Sequence, residues 1–415
     1  MQSSTNSRPA VVALLAIATF FAVVLATSRA SAYPWMIRHA ATQCGTCHAD
    51  PSGSGLLTSF GRARAEAVMR THWGEGQPAK GLGDFLFGVP TPDWLLLGGS
   101  VRNGYMYTRA TLPARRANDG TTTPSFAVTD SRFLQMQADL RAQVTFGRFR
   151  ANGGIGYLRQ PTTMLGEPAV VHAWSGGYVV SREHWIGVDL GEAREWLVRA
   201  GRFNLPFGLR SNEHTMWTRA TTRTDINDAQ QHGVGVAYAA GSIRTEAMLV
   251  VGNLQIRPDA YREQGGVGYF EYAFAPKLAV GASALVMRTT LDPTINESLI
   301  RHAYGLFARW SPVRPVVVMG EGDVVVSRGE TQARGTGTVS YLQVDVEPTQ
   351  GVHVMVTGEH RKLPAATGTA YGAWFGAAWF FFAHTDVRFD VIYRTLPGET
   401  RIPSVTLIGQ LHVFL

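Results

Sequence analysis

The stretch LQMQADLRAQVTF, residues 134–146, decides the fold class. Leucine, methionine, alanine, valine and phenylalanine occupy every second position from Leu134 to Phe146, and glutamine, aspartate, arginine or threonine occupies each position between them. Successive side chains of a β-strand point to opposite sides, so a period of two indicates a strand with one apolar and one polar face. The segment therefore predicts a β-strand that separates an apolar environment from a polar one.

The same alternation recurs along the chain from Trp94 onward, where no convincing helical period is found. It is clearest in residues 243–251, 342–347, 386–394 and 405–415. Seven short turns and eight long loops alternate between the predicted strands, which gives 16 strands. An even strand number with short turns at one end and longer loops at the other is the outer-membrane barrel pattern. A soluble two-sheet sandwich would explain the alternation but not this rhythm.

The predicted fold over residues 94–415 is therefore an all-β, 16-stranded antiparallel transmembrane β-barrel. Two of its segments alternate poorly. A β-bulge would explain residues 178–190. Residues 370–382 are apolar on both faces, and the sequence offers no reason for an apolar side chain on the lumen side.

The composition excludes several other classes of protein. Charged residues make up 17% of the 415, hydrophobic residues 45%, and there are 45 glycines. An ordinary apolar fraction argues against disorder, and two cysteines cannot form a disulfide scaffold. A single long apolar run argues against a helical membrane bundle. The net charge of +7 is too small to indicate a nucleic-acid partner.

The N-terminus has the layout of a secretory signal peptide over residues 1–32. An apolar run at residues 10–26 is followed by Ala30-Ser31-Ala32, a small-x-small cleavage site before Tyr33. A retained membrane anchor is the alternative. Export and a membrane barrel together predict a location in the bacterial outer membrane, in contact with its lipid.

The only two cysteines lie in the motif Cys44-Gly45-Thr46-Cys47-His48. C-x-x-C-H is the attachment motif of c-type haem: Cys44 and Cys47 form thioethers and His48 is the proximal iron ligand. A structural disulfide and half of a zinc site are the alternatives, but a zinc site needs two further ligands and the chain has no other cysteine. One covalently bound haem c is predicted.

The sixth iron ligand is less well defined. Residues 61–72, GRARAEAVMRTH, form a short amphipathic pattern that places Met69 and His72 on one stripe. We favour Met69 as the sixth ligand. The alternatives are His72, His39, Met36 and a sixth position that no side chain occupies. A methionine ligand would raise the reduction potential relative to two histidines.

The haem motif predicts a small α-helical cytochrome c-type domain over residues 33–80, joined to the first strand by a linker at residues 81–93. A compact chain of 48 residues has a radius of gyration of roughly 10 Å. A 16-stranded barrel has a backbone radius of roughly 16 Å. The domain is thus of a size to plug the barrel lumen.

Three stretches resemble a known family: residues 33–35 (YPW), the C-x-x-C-H motif, and residues 56–62 (LLTSFGR). They are similar to the N-terminal module of the fused outer-membrane cytochrome–porins of iron-oxidising bacteria. That resemblance implies a monohaem segment followed by a 16-stranded porin, with haem held by Cys44, Cys47 and His48. It also implies electron uptake from extracellular Fe(II) and delivery to periplasmic cytochromes. Separately, residues 199–208 (RAGRFNLPFG) resemble a stretch of phosphate-selective-type porins, which supports the barrel.

Two functions follow as hypotheses. The first is an electron-transfer oxidoreductase that moves electrons across the outer membrane between an extracellular donor, such as Fe(II), and a periplasmic cytochrome or other carrier. The alternative is a porin-type solute channel in which the haem domain is a plug or assembly element. The sequence leaves open the donor, the direction of electron flow, the state of the channel, the oligomeric state and whether the chain is an Fe(II) oxidase.

Overall fold

The computed structural model describes most of the chain after the predicted signal peptide. The peptide itself, residues 73–80 of the predicted haem domain and residues 81–84 of the predicted linker lie outside the described residues. The described residues are 33–40, 42–53, 55–72, 85–116, 121–157, 179–210, 213, 215–226, 229–331, 334–364, 368–396 and 402–415.

Sixteen antiparallel strands of the described chain form one closed barrel, in which each strand pairs with its sequence neighbours and β1 pairs with β16. This confirms the predicted barrel and excludes the two-sheet alternative. The strands are β1 Leu95–Leu112, β2 Phe126–Phe146, β3 Phe149–Tyr157, β4 Val179–Leu190, β5 Trp196–Phe203, β6 Gln231–Ala240, β7 Ile243–Gly252, β8 Gln264–Ala275, β9 Leu278–Thr289, β10 Leu299–Val313, β11 Val316–Gly329, β12 Gly335–Thr349, β13 Val352–Lys362, β14 Ala370–Phe382, β15 Thr385–Leu396 and β16 Ile402–Phe414.

The alternation of the sequence separates the two faces of the wall. In β7, Arg244 and Glu246 are buried on the inside, whereas the side chain of Leu249 is 64% exposed on the outside. Large apolar side chains such as Leu140 and Leu306 are likewise exposed on other strands. An apolar outer face with a polar interior is the arrangement of a barrel surrounded by lipid.

The predicted short turns lie where the strands reverse. Only residues 147–148 separate β2 from β3, and only residues 383–384 separate β14 from β15. The predicted loop at residues 110–130 is too long, because β1 and β2 continue to pair as far as Leu112 and Phe126. The predicted bulge in residues 178–190 is present: the register between β3 and β4 shifts between Gly154 and Ile155 and passes over Arg182.

Helices are few in the described chain. α1 is Ser59–Val68 and α2 is Trp217–Thr222, and short 3₁₀ turns occupy Pro34–His39, Cys44–Thr46, Phe85–Phe87 and Asp259–Tyr261. α2 shows that the expectation of no helix after Trp94 is wrong there, because six residues are too few to display a helical period. Of the helices described, none is both long and apolar enough to cross a membrane.

Candidate functional site

The N-terminal segment, residues 33–72, lies in the barrel lumen. Its first 3₁₀ turn buries Trp35, Met36 and Ile37 in an apolar cluster that includes Phe307 and Met319 of the barrel wall. Burial of these side chains removes apolar surface from water on both partners, at roughly 25 cal/mol per Å². The segment is therefore packed against the wall as part of the same core.

Hydrogen bonds place the N-terminal segment at the short-turn end of the barrel. The Gln43 amide donates to the Gly241 carbonyl over 2.9 Å, in the turn between β6 and β7. The Gln350 amide, in the turn after β12, donates to the Arg70 carbonyl over 2.9 Å. The Thr71 N–H donates to the Phe380 carbonyl over 2.9 Å. Short turns face the periplasm in barrels of this type, so this end is the periplasmic one.

Packing against the N-terminal segment explains part of the apolar lumen side of β14. Trp374, Ala378 and Phe380 are buried on the inside of this strand. The rings of Tyr33 and Trp35 each lie 6.1 Å from the Phe380 ring in edge-to-face contact. Aromatic pairs in this geometry contribute beyond their buried area. Phe380 on the inner face of residues 370–382 thus packs against an apolar partner rather than water, whereas Trp374 contacts Glu359 and Arg394 of the wall.

Buried ion pairs also fix the segment to the wall. Arg38 pairs with Asp345 and with Glu347, the latter over 3.1 Å. Asp50 accepts from Arg199 over 3.1 Å, and Arg199 also contacts Glu246 of β7. These charged side chains are almost fully buried, where removing one partner leaves an uncompensated charge.

The haem-attachment motif forms one compact turn. The N–H groups of Cys47 and His48 both donate to the Cys44 carbonyl, over 3.1 and 3.0 Å, which closes the 3₁₀ turn Cys44–Thr46. A β-bridge then joins His48 to Leu57. Gly53, with φ of 80°, lies against this turn: a Cβ there would be 3.3 Å from the Cys44 Sγ atom. The fold thus brings both cysteines and the histidine together.

Thr58 connects this turn to α1. Its Oγ1 atom accepts from the Gly61 N–H over 3.0 Å as the N-cap and donates to the Thr46 carbonyl over 2.8 Å. Gly61 is held close to the motif, because a Cβ at this position would be 2.2 Å from the Cys47 carbonyl oxygen. The N-terminus of α1 is therefore seated directly on the C-x-x-C-H backbone.

Replacing Thr58 with alanine is expected to loosen α1. Loss of an N-cap costs about 1 kcal/mol of helix stability. The amides of residues 59–68 should then exchange with solvent roughly fivefold faster in a hydrogen-exchange measurement, since exchange follows local opening. Thr58→Ser keeps the hydroxyl oxygen and is the control, expected to exchange at nearly the wild-type rate. Equal exchange in Thr58→Ala and wild type would contradict a capping role.

One cavity in the lumen collects the predicted iron ligands. Its volume is about 960 Å³, including the space that opens to solvent. His48 and Met69 both line it, with Leu57 and Ala65 as apolar wall from the same segment. Met69 is the C-cap residue of α1, so the helix predicted from residues 61–72 is what brings this thioether to the cavity.

The other predicted ligands are placed differently. Met36 is fully buried in the apolar cluster, and the Nε2 atom of His39 lies 3.8 Å from a Glu347 carboxylate oxygen. Burial, with Arg64 nearby, lowers the pKa of His39 to about 4, so it is neutral at pH 7. His72 is absent from the cavity lining. Of the candidates, the structure brings only Met69 to the cavity with His48.

Polar groups from outside the N-terminal segment also line the cavity. Arg102, Arg141 and Arg210 line the cavity, and so does His412 of β16. The Nδ1 atom of His412 lies 2.8 Å from an Asp386 oxygen. These residues are far apart in the sequence and meet only because the barrel closes. The alternation of residues 134–146 places Arg141 on the polar face of its strand, but no local spacing could have indicated that these four residues meet.

The pKa values of two groups in the N-terminal segment are shifted by their surroundings, but their charge states at neutral pH are the ordinary ones. Burial raises the pKa of the Cys47 thiol to about 12, so it is a protonated thiol at neutral pH and a poor nucleophile. Burial alone would also raise the pKa of Asp50, but Arg199 and Arg210 lower it below its usual 3.8. Asp50 is thus ionised in the folded lumen.

A second segment enters the lumen from the long-loop end. The described part of residues 204–230, here called the inward segment, follows β5 and contains α2. The Leu209 N–H donates to Glu321 over 2.8 Å, and the Trp217 N–H donates to Glu359 over 2.9 Å. Arg210 and Ile226 of this segment line the cavity opposite the N-terminal segment. The cavity is thus enclosed by the wall and both segments.

Clusters of three or more histidine, cysteine, aspartate or glutamate side chains arranged to hold a metal ion are absent among the described residues. The iron ligands predicted here, one imidazole and one thioether, do not make such a cluster. They would hold iron only as part of a haem, whose ring supplies the other four ligands.

No protein-family model matches the chain, and no curated protein matches its sequence. Solved structures of similar fold include OmpT of Vibrio cholerae, with a TM-score of 0.53 and 11% identity over 79% of this chain and 100% of that one. The anion-selective porin from Comamonas acidovorans has a TM-score of 0.50 and 11% identity, over 77% and 99%. The outer membrane channel DcaP of Acinetobacter baumannii has a TM-score of 0.50 and 12% identity, over 77% and 96%.

At these identities the similarity concerns the fold. A closed barrel of this type with an apolar outer face is a protein of the bacterial outer membrane, as predicted. The similar structures are outer-membrane porins and channels and do not bear on haem. They therefore support a porin-type barrel fold.

Proposed function

We propose that this chain is a porin-type barrel that holds one haem c in its lumen and passes electrons between an extracellular donor and a periplasmic carrier. The observation that carries the proposal is the lumenal cavity that His48 and Met69 line together. The proposal joins this cavity to the C-x-x-C-H motif beside it and to the family resemblance of residues 33–62.

The residues present fit a haem c. Imidazole and thioether are the two axial donors of many c-type cytochromes. Leu57 and Ala65 offer apolar wall to a flat macrocycle, and arginines offer charge to its carboxylates. The site therefore combines an apolar face, two axial donors and cationic groups.

In this proposal a bound haem supplies a one-electron carrier, and the chain holds it. Cys44 and Cys47 would tether it, and His48 and Met69 would ligate its iron. A thioether ligand in place of a second imidazole would favour the reduced state. The cavity is lined by the wall and by both lumenal segments, so buried charges of the chain lie near the proposed haem and would influence that potential.

The electron balance of the proposed function is simple. Each Fe(II) ion oxidised to Fe(III) outside releases one electron, and a one-electron periplasmic carrier is reduced in turn. Fe(II) is proposed from the family resemblance alone, and the reverse direction would use the same groups. No proton transfer or bond cleavage by the chain is required, so no acid–base residue is assigned.

The solute-channel alternative is supported by the similar structures, which are porins and channels. The contents of the lumen favour the other function, because the N-terminal segment and the inward segment are both hydrogen-bonded within it. In a solute channel the haem segment would be a plug or assembly element, and the mixed charges of the lumen would tune passage.

Electron transfer across vesicles separates the two functions. The protein, produced with cytochrome c maturation proteins, is placed in liposomes that contain ferricyanide, and Fe(II)–citrate is added outside. We expect internal ferricyanide to be reduced much faster than in protein-free vesicles, while the ferricyanide stays inside. Haem-loaded protein that gives no faster reduction would contradict electron transfer. Escape of ferricyanide, with a redox-silent haem, would support the channel.

A further inference from the structure

Arg210 is a buried cation that forms no close ion pair with a carboxylate of the described residues. Asp50 and Glu246, which pair with Arg199, attract it only from a longer distance. Arg210 belongs to the inward segment that follows β5, and it is only 8% exposed. It lines the same cavity as His48. Its Nη2 atom donates to the Leu205 carbonyl over 2.6 Å. Within the part of the chain that the structure describes, its Nη1 atom has no hydrogen-bond partner.

Two other buried arginines of the lumen have carboxylate partners at ion-pair distance. Arg141 pairs with Glu183 over 2.7 Å and with Asp139 over 3.2 Å. Arg199 pairs with Asp50 over 3.1 Å. Burying an ion that is not paired is costly, and a single neutral carbonyl does not replace a counter-charge. Arg210 thus differs from Arg141 and Arg199 because it has no carboxylate at ion-pair distance and has an Nη1 donor without a described partner beside the cavity.

We propose that Arg210 binds a carboxylate of the group that occupies this cavity. The guanidinium presents donors in a planar fork that matches a carboxylate. This inference rests on the proposed function: a haem carries two propionate carboxylates, and Arg210 binds one of them. The residue would fix the orientation of the macrocycle relative to His48 and Met69 and place a positive charge beside it.

The positive charge of Arg210 predicts the direction in which the reduction potential of the haem changes when the charge is removed. Oxidation adds one positive charge at the iron, and a neighbouring cation disfavours that added charge. Neutralising Arg210 leaves the propionate negative charge uncompensated as well. Both changes stabilise the oxidised state, so the reduction potential falls.

The test compares Arg210→Gln, Arg210→Lys and wild type, all purified as haem-loaded full chains. Arg257→Gln is the matched control, since it removes the same charge from a side chain that is 60% exposed in a loop. We expect Arg210→Gln to lower the reduction potential in spectroelectrochemistry and to shift the propionate bending band in resonance Raman spectra. Arg210→Lys should retain most of the potential and shift the band, since it keeps the charge without the fork. Arg257→Gln should change neither.

Each result decides a separate point. Wild-type protein without any haem c would overturn the proposed function and this inference with it. Normal haem c in Arg210→Gln, with the potential and the Raman band unchanged, would overturn the inference alone. If Arg210→Gln does not fold, an unshifted propionate band in Arg210→Lys would overturn the inference in its place.

Discussion

Replacing both Cys44 and Cys47 with serine is expected to abolish covalent haem attachment and leave the barrel folded. A thioether needs the sulfur of each cysteine, and a serine hydroxyl cannot form it. Both residues lie in a short turn of the N-terminal segment, and neither belongs to the strands that close the barrel. Haem staining of a denaturing gel should fall from one haem per chain to background, while heat-modifiable migration of the barrel persists.

Two further variants sharpen that result. Cys44→Ser alone leaves one thioether, so the pyridine haemochrome band should move toward the position of a haem with one free vinyl group. His48→Ala should lose the normal c-type spectrum, because the proximal ligand is gone. Covalent haem that survives the double serine change would refute the attachment assignment. So would a wild-type chain that stays haem-free when maturation proteins are supplied.

The barrel could be predicted because the same short pattern of apolar and polar residues is required in each of its strands. A wall between lipid and a polar interior imposes a period of two on every strand, and residues 134–146 display it within what the structure shows as β2. Strand ends were harder to predict: β1 and β2 extend through threonine- and alanine-rich residues, where the pairing of two strands decides the boundary. Helix α2 was missed because tertiary contacts stabilise it rather than its own pattern.

The residues of the candidate site also fall into two groups, those that could be predicted from the sequence and those that could not. Cys44, Cys47 and His48 could be named because five consecutive residues carry the whole motif. Met69 followed from the helical spacing of residues 61–72, and the structure places it on the cavity. Arg210 and His412 could not be named, because they meet His48 only through barrel closure and inward folding of a loop. The sequence shows that both faces of β14 are apolar, but it does not show that Phe380 packs against Tyr33 and Trp35 of the N-terminal segment.

The largest effect on the lumen is expected from Arg199→Gln. Arg199 lies between Asp50 of the N-terminal segment and Glu246 of the wall, and Ser52 also contacts Glu246. Removing the arginine leaves two buried carboxylates facing each other, and loss of one member of a buried ion pair costs about 3–5 kcal/mol. The docking equilibrium of the N-terminal segment should then shift by roughly two to four orders of magnitude.

The shift in the docking equilibrium should be measurable as an ionic current through the barrel. In planar bilayers the wild-type barrel should conduct poorly, and Arg199→Gln should show frequent open events with the conductance of a wide pore, because a 16-stranded barrel without its plug encloses an aqueous channel. Asp50→Asn should have a smaller effect, since Arg199 keeps Glu246. Arg132→Gln is the control: it breaks an ion pair with Asp130, in β2 and away from the N-terminal segment, and should stay closed. Equal conductance in wild type and Arg199→Gln would mean that this ion pair does not hold the segment in place, and an open wild-type pore would favour the solute channel over electron transfer.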